Sequence, residues 1–397
     1  MNPAIVLGCD ANGYGIIRSI NKFNKNIPII GIDYNPKSPG LYSRFLKHKF
    51  VISNPFQNNE KSIDEFLSII KKLNNKPVLY ITSDLFLSFI NKYRFELEKK
   101  ALFNVPKKDL LDNILDKRKQ YDIISKINVP FPKTYHIEFK NLYDVYDLDI
   151  EYPIFIKGAY QFQWKKYFNE KGFVANSKQE LELLIKKIKE YNIDIVVQEL
   201  ILGPNYNHYK ISVYYDKTGE LKLVFTTQKT RQFPQDFGVG CYMKSKRMNE
   251  IIELGRKIFE NIFYNGIGSI EFKFDERDRK YKLIEINPRV WQQNYQATVA
   301  GLNFAEYYYK DLVGEKIEFN DKFIEGVTYI DTVNDFQSFV INKKITGEKY
   351  FDWIKQVVTA DSYSFFYPSD PLPILKSSNL GLKLIRYFMN ILLRAFK

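Results

Sequence analysis

Cysteine, histidine, methionine and tryptophan are all scarce in these 397 residues, at two, three, four and three. Cys9 and Cys241 stand far apart with no pairing pattern. That count excludes a disulfide scaffold or a thiolate metal site and makes a reducing compartment the expected one. His48, His136 and His208 are isolated from one another, which argues against a histidine-rich metal centre. No run of 18 apolar residues occurs, so a spanning helix is not expected. The N-terminus enters a strand-like segment without a signal-type sequence, and the cytoplasm is the expected location.

Hydrophobic residues make up 45% and charged residues 26%, a globular balance that argues against disorder as the main state. The abundance of Lys, Asn and Ile reads first as a compositional bias of the source. The net charge of +13 is therefore weak support for nucleic acid, and no nucleic-acid partner is expected. An anionic small molecule or an acidic membrane surface fits it equally well.

Short apolar runs alternate with helical patterns over the first hundred residues: Ala4 to Leu7, Ile27 to Ile32 and Pro77 to Thr82 are strand-like. This predicts a doubly wound parallel sheet over residues 1–104. The turn after the first strand carries Gly8, Gly13 and Gly15. Their spacing does not fit the dinucleotide fingerprint G-x-G-x-x-G, so Asp33 is a poor ribose ligand, and a loop facing a substrate is the better reading. A second unit, 105–318, divides at about 192 into two α+β parts. It opens with a helical pattern over 109–127, ended by Val129-Pro130-Phe131-Pro132. Two hairpins follow, 210–227 and 268–287. The remainder, 319–397, shows no obvious chemistry and ends in a basic amphipathic helix from Leu380. That helix reads either as docked on the body or as lying in an anionic membrane interface.

The most informative segment is Leu283-Ile284-Glu285-Ile286-Asn287-Pro288-Arg289. In a strand, alternate side chains share a face, so Glu285, Asn287 and Arg289 could point one way while Ile284 and Ile286 face the core. Ser269 to Asp275 alternates similarly, and a hairpin would bring Glu271 beside Glu285 and Asn287. Two carboxylates and an amide oxygen make an all-oxygen site suited to Mg²⁺, which takes carboxylates together with phosphate oxygens. Arg289 is placed to neutralise charge on a transferred phosphoryl group. A solvated polar strand face is the bland alternative. Lys157, ending the apolar run Ile154-Phe155-Ile156, and Lys117, after Asp116, are candidate phosphate ligands or else surface charges. The strand around Gln198-Glu199-Leu200, followed by Gly203-Pro204, has the form of a hinge offering backbone groups to an adenine edge.

In order along the chain these segments are Asp116-Lys117, the turn at 129–132, Pro153 to Lys157, Gln198 to Ile201, Gly268 to Phe272, and Glu285 to Arg289. Taken together they resemble the ATP-grasp superfamily, the group that includes biotin carboxylase, carbamoyl-phosphate synthetase and D-alanine–D-alanine ligase. The resemblance spans roughly residues 1–315 and implies a pre-ATP-grasp parallel-sheet domain followed by an ATP-grasp domain. It implies Mg²⁺, or Mn²⁺, on Glu271, Glu285 and Asn287. It also implies ATP phosphates on Lys117 and Lys157, adenine at Gln198, Glu199 and the Leu200 backbone, and catalysis by Arg289. Residues 229–240 resemble a segment of D-aspartate ligase-like and polysaccharide-cluster members, with Lys229 and Arg231 as substrate-binding candidates. Two departures stand out. Tyr206-Asn207-His208 occupies the place of an acidic ribose ligand, and the segment between Lys157 and Gly172, a glycine-rich lid in relatives, is aromatic here.

The activity implied is an ATP- and Mg²⁺-dependent carboxylate–amine ligase that forms an amide through an acyl-phosphate. Its partners would be a small-molecule carboxylate and amine. The alternative is an ATP-binding protein without turnover, tethered peripherally to a membrane by the C-terminal helix. Oligomeric state is not readable.

Overall fold

The computed structural model describes residues 1–234 and 237–376. The segment 380–397, read above as an amphipathic helix, lies outside the described residues. Among those described, no helix is long and apolar enough to cross a membrane.

Aliphatic runs form Ala4–Leu7 (β1), Ile29–Asp33 (β2), Leu46–Val51 (β3) and Val78–Ile81 (β4). They pair in parallel in the order β3-β2-β1-β4. β1, β2 and β4 are buried throughout, as expected of a parallel sheet covered on both faces. β3 is the edge and exposes Lys47 and Lys49, charges that discourage pairing with another chain. The turn after β1 needs Gly8, whose φ is +88°. Asp33, far from serving a ribose, accepts the Cys9 backbone N–H at 2.6 Å and the Asn35 N–H at 3.0 Å, and so braces this turn. The helix Ala11–Phe23 then approaches Asn294 closely at Gly15, where a Cβ would lie 2.5 Å from the Asn294 Oδ1.

The helical pattern over 109–127 is interrupted. It resolves into Lys108–Leu115 and Lys117–Ser125, because Asp116 adopts extended backbone (φ −86°, ψ 112°) and caps the second helix through the Arg118 N–H at 3.0 Å. This correction matters, since it makes Lys117 the first residue of a helix. Thr134–Ile137 (β5), Ile154–Gly158 (β6), Phe173–Ala175 (β7) and Ile195–Glu199 (β8) form an antiparallel sheet ordered β5-β8-β6-β7. The aromatic segment between β6 and β7 folds onto this unit. Trp164 is fully buried among Phe168, Phe173 and neighbours, and its Nε1 donates to the Glu170 carbonyl at 2.9 Å.

The expected hairpins appear as His208–Tyr215 (β9) with Leu221–Phe233 (β10), and Gly266–Asp275 (β12) with Lys280–Asn287 (β13). Val239–Ser245 (β11) joins them, and so do two short strands from beyond residue 319, Thr328–Ile330 (β14) and Ser362–Tyr363 (β15). The sheet therefore runs β13-β12-β9-β10-β11-β14-β15. Part of the stretch beyond residue 319 is thus built into this seven-stranded sheet.

Two ionic contacts fix that extension. Arg231 on β10 grips Asp335, at the start of the helix Thr332–Thr346, through Nε and Nη2, both at 2.8 Å, and Glu348 through Nη1 at 3.3 Å. Trp353 Nε1 also donates to Asp335 at 2.9 Å. Farther on, Asp370 returns to the first domain, accepting from Ser43 Oγ at 2.6 Å, the Arg44 N–H at 3.0 Å and Tyr14 Oη at 3.2 Å. Beside it the buried Arg18 donates to the carbonyls of Tyr363 and Ser364 and lies between the rings of Tyr14 and Tyr295.

Arg231→Ala leaves the fully buried Asp335 without its cation and should lower stability by about 3–5 kcal/mol. Denaturant titration checks this; an unchanged unfolding midpoint with a raised substrate KM would make Arg231 a substrate ligand instead. Asp370→Ala strands three buried or half-buried donors and should cost about 2–4 kcal/mol, read in the same titration.

Candidate active site

Antiparallel pairing sets Glu271 directly opposite Glu285, and Ser269 opposite Asn287. The alternate residues Ile270 and Ile286 enter the core beneath. Glu271, Glu285 and Asn287 therefore share one sheet face. Gln120, on the helix that Lys117 begins, holds this strand end. Its Nε2 donates to the Ile286 carbonyl at 3.0 Å, and its Oε1 accepts the Ile286 N–H at 3.2 Å.

Carboxylates facing each other across strands repel, and lysines offset that repulsion here. Lys117 Nζ lies 2.7 Å from Glu285 Oε1. Lys210 and Lys229 lie 3.0 and 3.5 Å from the two oxygens of Glu271. Burial pushes the Glu285 carboxyl up, but Lys117 and Lys171 outweigh it and hold the group at about 2. Burial acts likewise on Glu271, and Lys210 and Lys229 hold it well below the usual carboxylate range. Both groups are ionised at neutral pH. Lys210 was not singled out from the sequence: a lone lysine in a lysine-rich chain shows nothing until β9 is paired beside β12.

Lys157 Nζ stands 3.2 Å from Gln198 Oε1 and 3.4 Å from Tyr121 Oη, over the Tyr121 ring. Tyr121 in turn donates to the Ile284 carbonyl at 2.6 Å. Burial pulls the Lys157 ammonium down to about 8, with Glu285 acting in the opposite sense. Gln198 Nε2 donates to Thr134 Oγ1 at 2.8 Å. Glu199 is ion-paired with Arg277 at 2.7 Å and Lys282 at 3.4 Å. The Leu200 N–H donates to the Pro153 carbonyl, while the Leu200 carbonyl accepts from Arg277. The hinge is thus engaged within the protein through its side chains and through both backbone groups of Leu200. At 206–208 no carboxylate is present, and the Asn207 amide instead holds Glu276 at 2.9 Å.

Arg289 reaches across to the first domain. Its Nε lies 2.6 Å from Asp84 Oδ1, and its Nη2 lies 3.4 Å from both Asp84 Oδ2 and Asn287 Oδ1. Burial lowers the guanidinium and Asp84 more than restores it. The glycine turn joins this edge as well: Asn12 Nδ2 donates to the carbonyls of Thr82 and Val290 at 2.9 and 3.1 Å. Arg231, in contrast, is engaged by Asp335 and Glu348. The structure thus gathers Lys117, Lys157, Lys210, Lys229, Glu271, Glu285, Asn287 and Arg289 about one edge, and sets Arg231 among C-terminal helices.

The donor set suits a hard cation. Among the described residues no three His, Cys, Asp or Glu side chains are placed to hold a metal ion by themselves. The Asn287 carbonyl is then the natural third donor beside two carboxylates, a set that leaves positions for phosphate oxygens, as Mg²⁺ sites in phosphoryl transfer do.

Comparison with known proteins agrees with this geometry. The model of the carbamoyl-phosphate synthase L chain ATP-binding domain matches residues 116–319. D-aspartate ligase of Enterococcus faecium (strain Aus0004) is 26% identical over 340 residues, which cover 81% of this chain and 78% of that protein. The fold is shared with N5-carboxyaminoimidazole synthetase from Staphylococcus aureus complexed with ADP, at TM-score 0.65 and 13% identity over 87% of this chain and 86% of that one. It is shared too with L-amino acid ligase from Bacillus licheniformis, at TM-score 0.62 and 14% identity over 80% and 75%. With its paired-carboxylate hairpin inside the matched residues, the chain belongs to the carbamoyl-phosphate synthase L chain ATP-binding family, and through it to the ATP-grasp superfamily of ATP-dependent ligases.

Proposed function

We propose that the chain joins a small-molecule carboxylate to an amine at the expense of ATP, through an acyl-phosphate. The observation that carries this is the pairing of Glu271 with Glu285, and Asn287 beside them, inside a ring of four lysines and Arg289. Glu271, Glu285 and Asn287 would hold Mg²⁺, with Mn²⁺ as the substitute ion. Bound there, the ion would neutralise phosphate oxygens. Lys117 and Lys157 would take the triphosphate, and Gln198, Glu199 and the Leu200 backbone the adenine end. A carboxylate oxygen attacks the γ-phosphorus and ADP departs. The amine nitrogen then attacks the acyl carbon, phosphate leaves, and the amine proton passes to solvent. No covalent enzyme nucleophile is required, since positioning and charge stabilisation supply most of the acceleration in phosphoryl transfer. Arg289, fixed by Asp84, is set to meet charge on the transferred group, and Lys229 to meet the substrate. The likeness to a D-aspartate ligase, and the fold shared with an L-amino acid ligase, support an amino acid as one substrate.

A coupled ADP-release screen over paired acids and amines tests the reading. Glu285→Ala should lower acceptor-dependent ADP release by on the order of a hundredfold or more while circular dichroism is unchanged; an undiminished rate removes the metal assignment. ATP binding without ADP formation across the whole panel would instead leave a nucleotide-binding protein. Lys157 supplies an independent check. Its ammonium titrates near 8 in the free protein, and phosphates beside it favour the charged form. Nucleotide binding should therefore take up most of a proton at about pH 9 and almost none at about pH 7, and affinity should fall as pH rises past the lysine's value. Calorimetry in buffers of different ionisation enthalpy measures the uptake, and Lys157→Met should abolish it.

A further inference from the structure

Glu271 answers two ammonium groups at once, and that imbalance is informative. Lys210 and Lys229 are more than nine-tenths buried, at 7% and 5% exposure, whereas the Glu271 side chain is 21% exposed. Apart from Glu271, each lysine has an amide oxygen: Gln293 Oε1 lies 3.3 Å from Lys210 Nζ, and Gln232 Oε1 3.2 Å from Lys229 Nζ. Gln293 is itself fixed, donating through Nε2 to the Gly240 carbonyl at 2.9 Å. An amide oxygen accepts a hydrogen bond but cancels no charge. Among the described residues these two buried cations thus share one carboxylate, and Glu285 is paired instead with Lys117. Buried charge is costly unless paired. Among the described residues the cluster is therefore one anion short, beside the partly exposed Glu271.

We propose that Lys210 and Lys229 form the seat of the substrate carboxylate, and that Glu271 occupies this seat until a divalent cation draws it away. This rests on the metal assignment made above. Metal and substrate then promote each other's binding. The cation must win Glu271 from two lysines, and once it does, those lysines are left with no carboxylate between them. The vacated place suits an oxyanion of carboxylate or phosphate size. Mutual promotion follows from linkage, since whatever tightens one ligand tightens the other by the same factor. Acid would enter readily only after the metal.

The test measures binding on the full chain, without turnover. Mg²⁺ titrated alone, followed by calorimetry, should bind Lys210→Met about fivefold or more tighter than the wild type, because Glu271 then has fewer cations to release. Inorganic phosphate, used as the oxyanion probe with ADP present, should bind the wild type more tightly by a similar factor when Mg²⁺ is added, and should lose that gain in Lys210→Met. Lys210→Arg keeps the charge and should restore both behaviours. A folded Lys210→Met with unchanged or weakened Mg²⁺ affinity overturns the proposal, as does phosphate binding to the wild type that ignores Mg²⁺. If Mg²⁺ binds, depends on Glu285 and is indifferent to Lys210, only the seat fails. If the wild type takes up no Mg²⁺, the metal assignment falls and the seat with it.

Discussion

Like charges set opposite each other on adjacent strands push the strands apart, yet this sheet is built around such a pair. Nothing in the backbone register relieves it, because the register is what creates it. Relief comes from outside the hairpin. The helix Lys117–Ser125 begins where Asp116 can cap it, so that Lys117 meets Glu285. β9 lies against β12 in a register that brings Lys210 to Glu271, and β10 adds Lys229 from one strand farther away. Three separate elements thus converge on two side chains. The arrangement is held by charges that, on the proposed reading, anionic ligands and a cation would replace.

Much of this was legible beforehand. The period-two alternation in 269–271 and 285–287 fixed which residues share a face, and a charged turn between the segments announced the hairpin; the alternation breaks at a bulge beside Glu285, where Leu283 and not the expected Ile284 enters the core. The parallel sheet was legible for a similar reason: strands buried on both faces read as continuous aliphatic runs. What escaped has physical reasons too. The break at Asp116 carries no glycine or proline, and a capping aspartate inside a charged helical pattern looks like any other surface acid. β14 and β15 are three and two residues long, too short for periodicity, so their place in the sheet was hidden. Arg231 sits in a segment that resembles a substrate loop, but its partner Asp335 is 104 residues away and no local pattern joins them. Asp33 was set aside as a ribose ligand on spacing alone, and its bond to the Cys9 N–H gives it a different task.

The first domain does more than flank the site. Through Asn12 it holds the backbone at Val290, through Gly15 it admits Asn294, and through Asp84 it fixes the guanidinium of Arg289. A displacement of the helix Asp84–Lys92 by an ångström would therefore reach Arg289, the residue proposed to meet the reacting phosphate.

The bond from Tyr14 to Asp370 spans 356 residues of sequence. On a ribosome the parallel sheet can assemble long before its last hydrogen-bond acceptor has been synthesised, leaving the Ser43 hydroxyl and the Arg44 amide dependent on water in the interim. Completion of the parallel-sheet unit thus waits on a stretch synthesised much later. A nascent chain halted before Asp370 would hold every candidate catalytic side chain, yet leave Tyr14, Ser43 and Arg44 without their common acceptor.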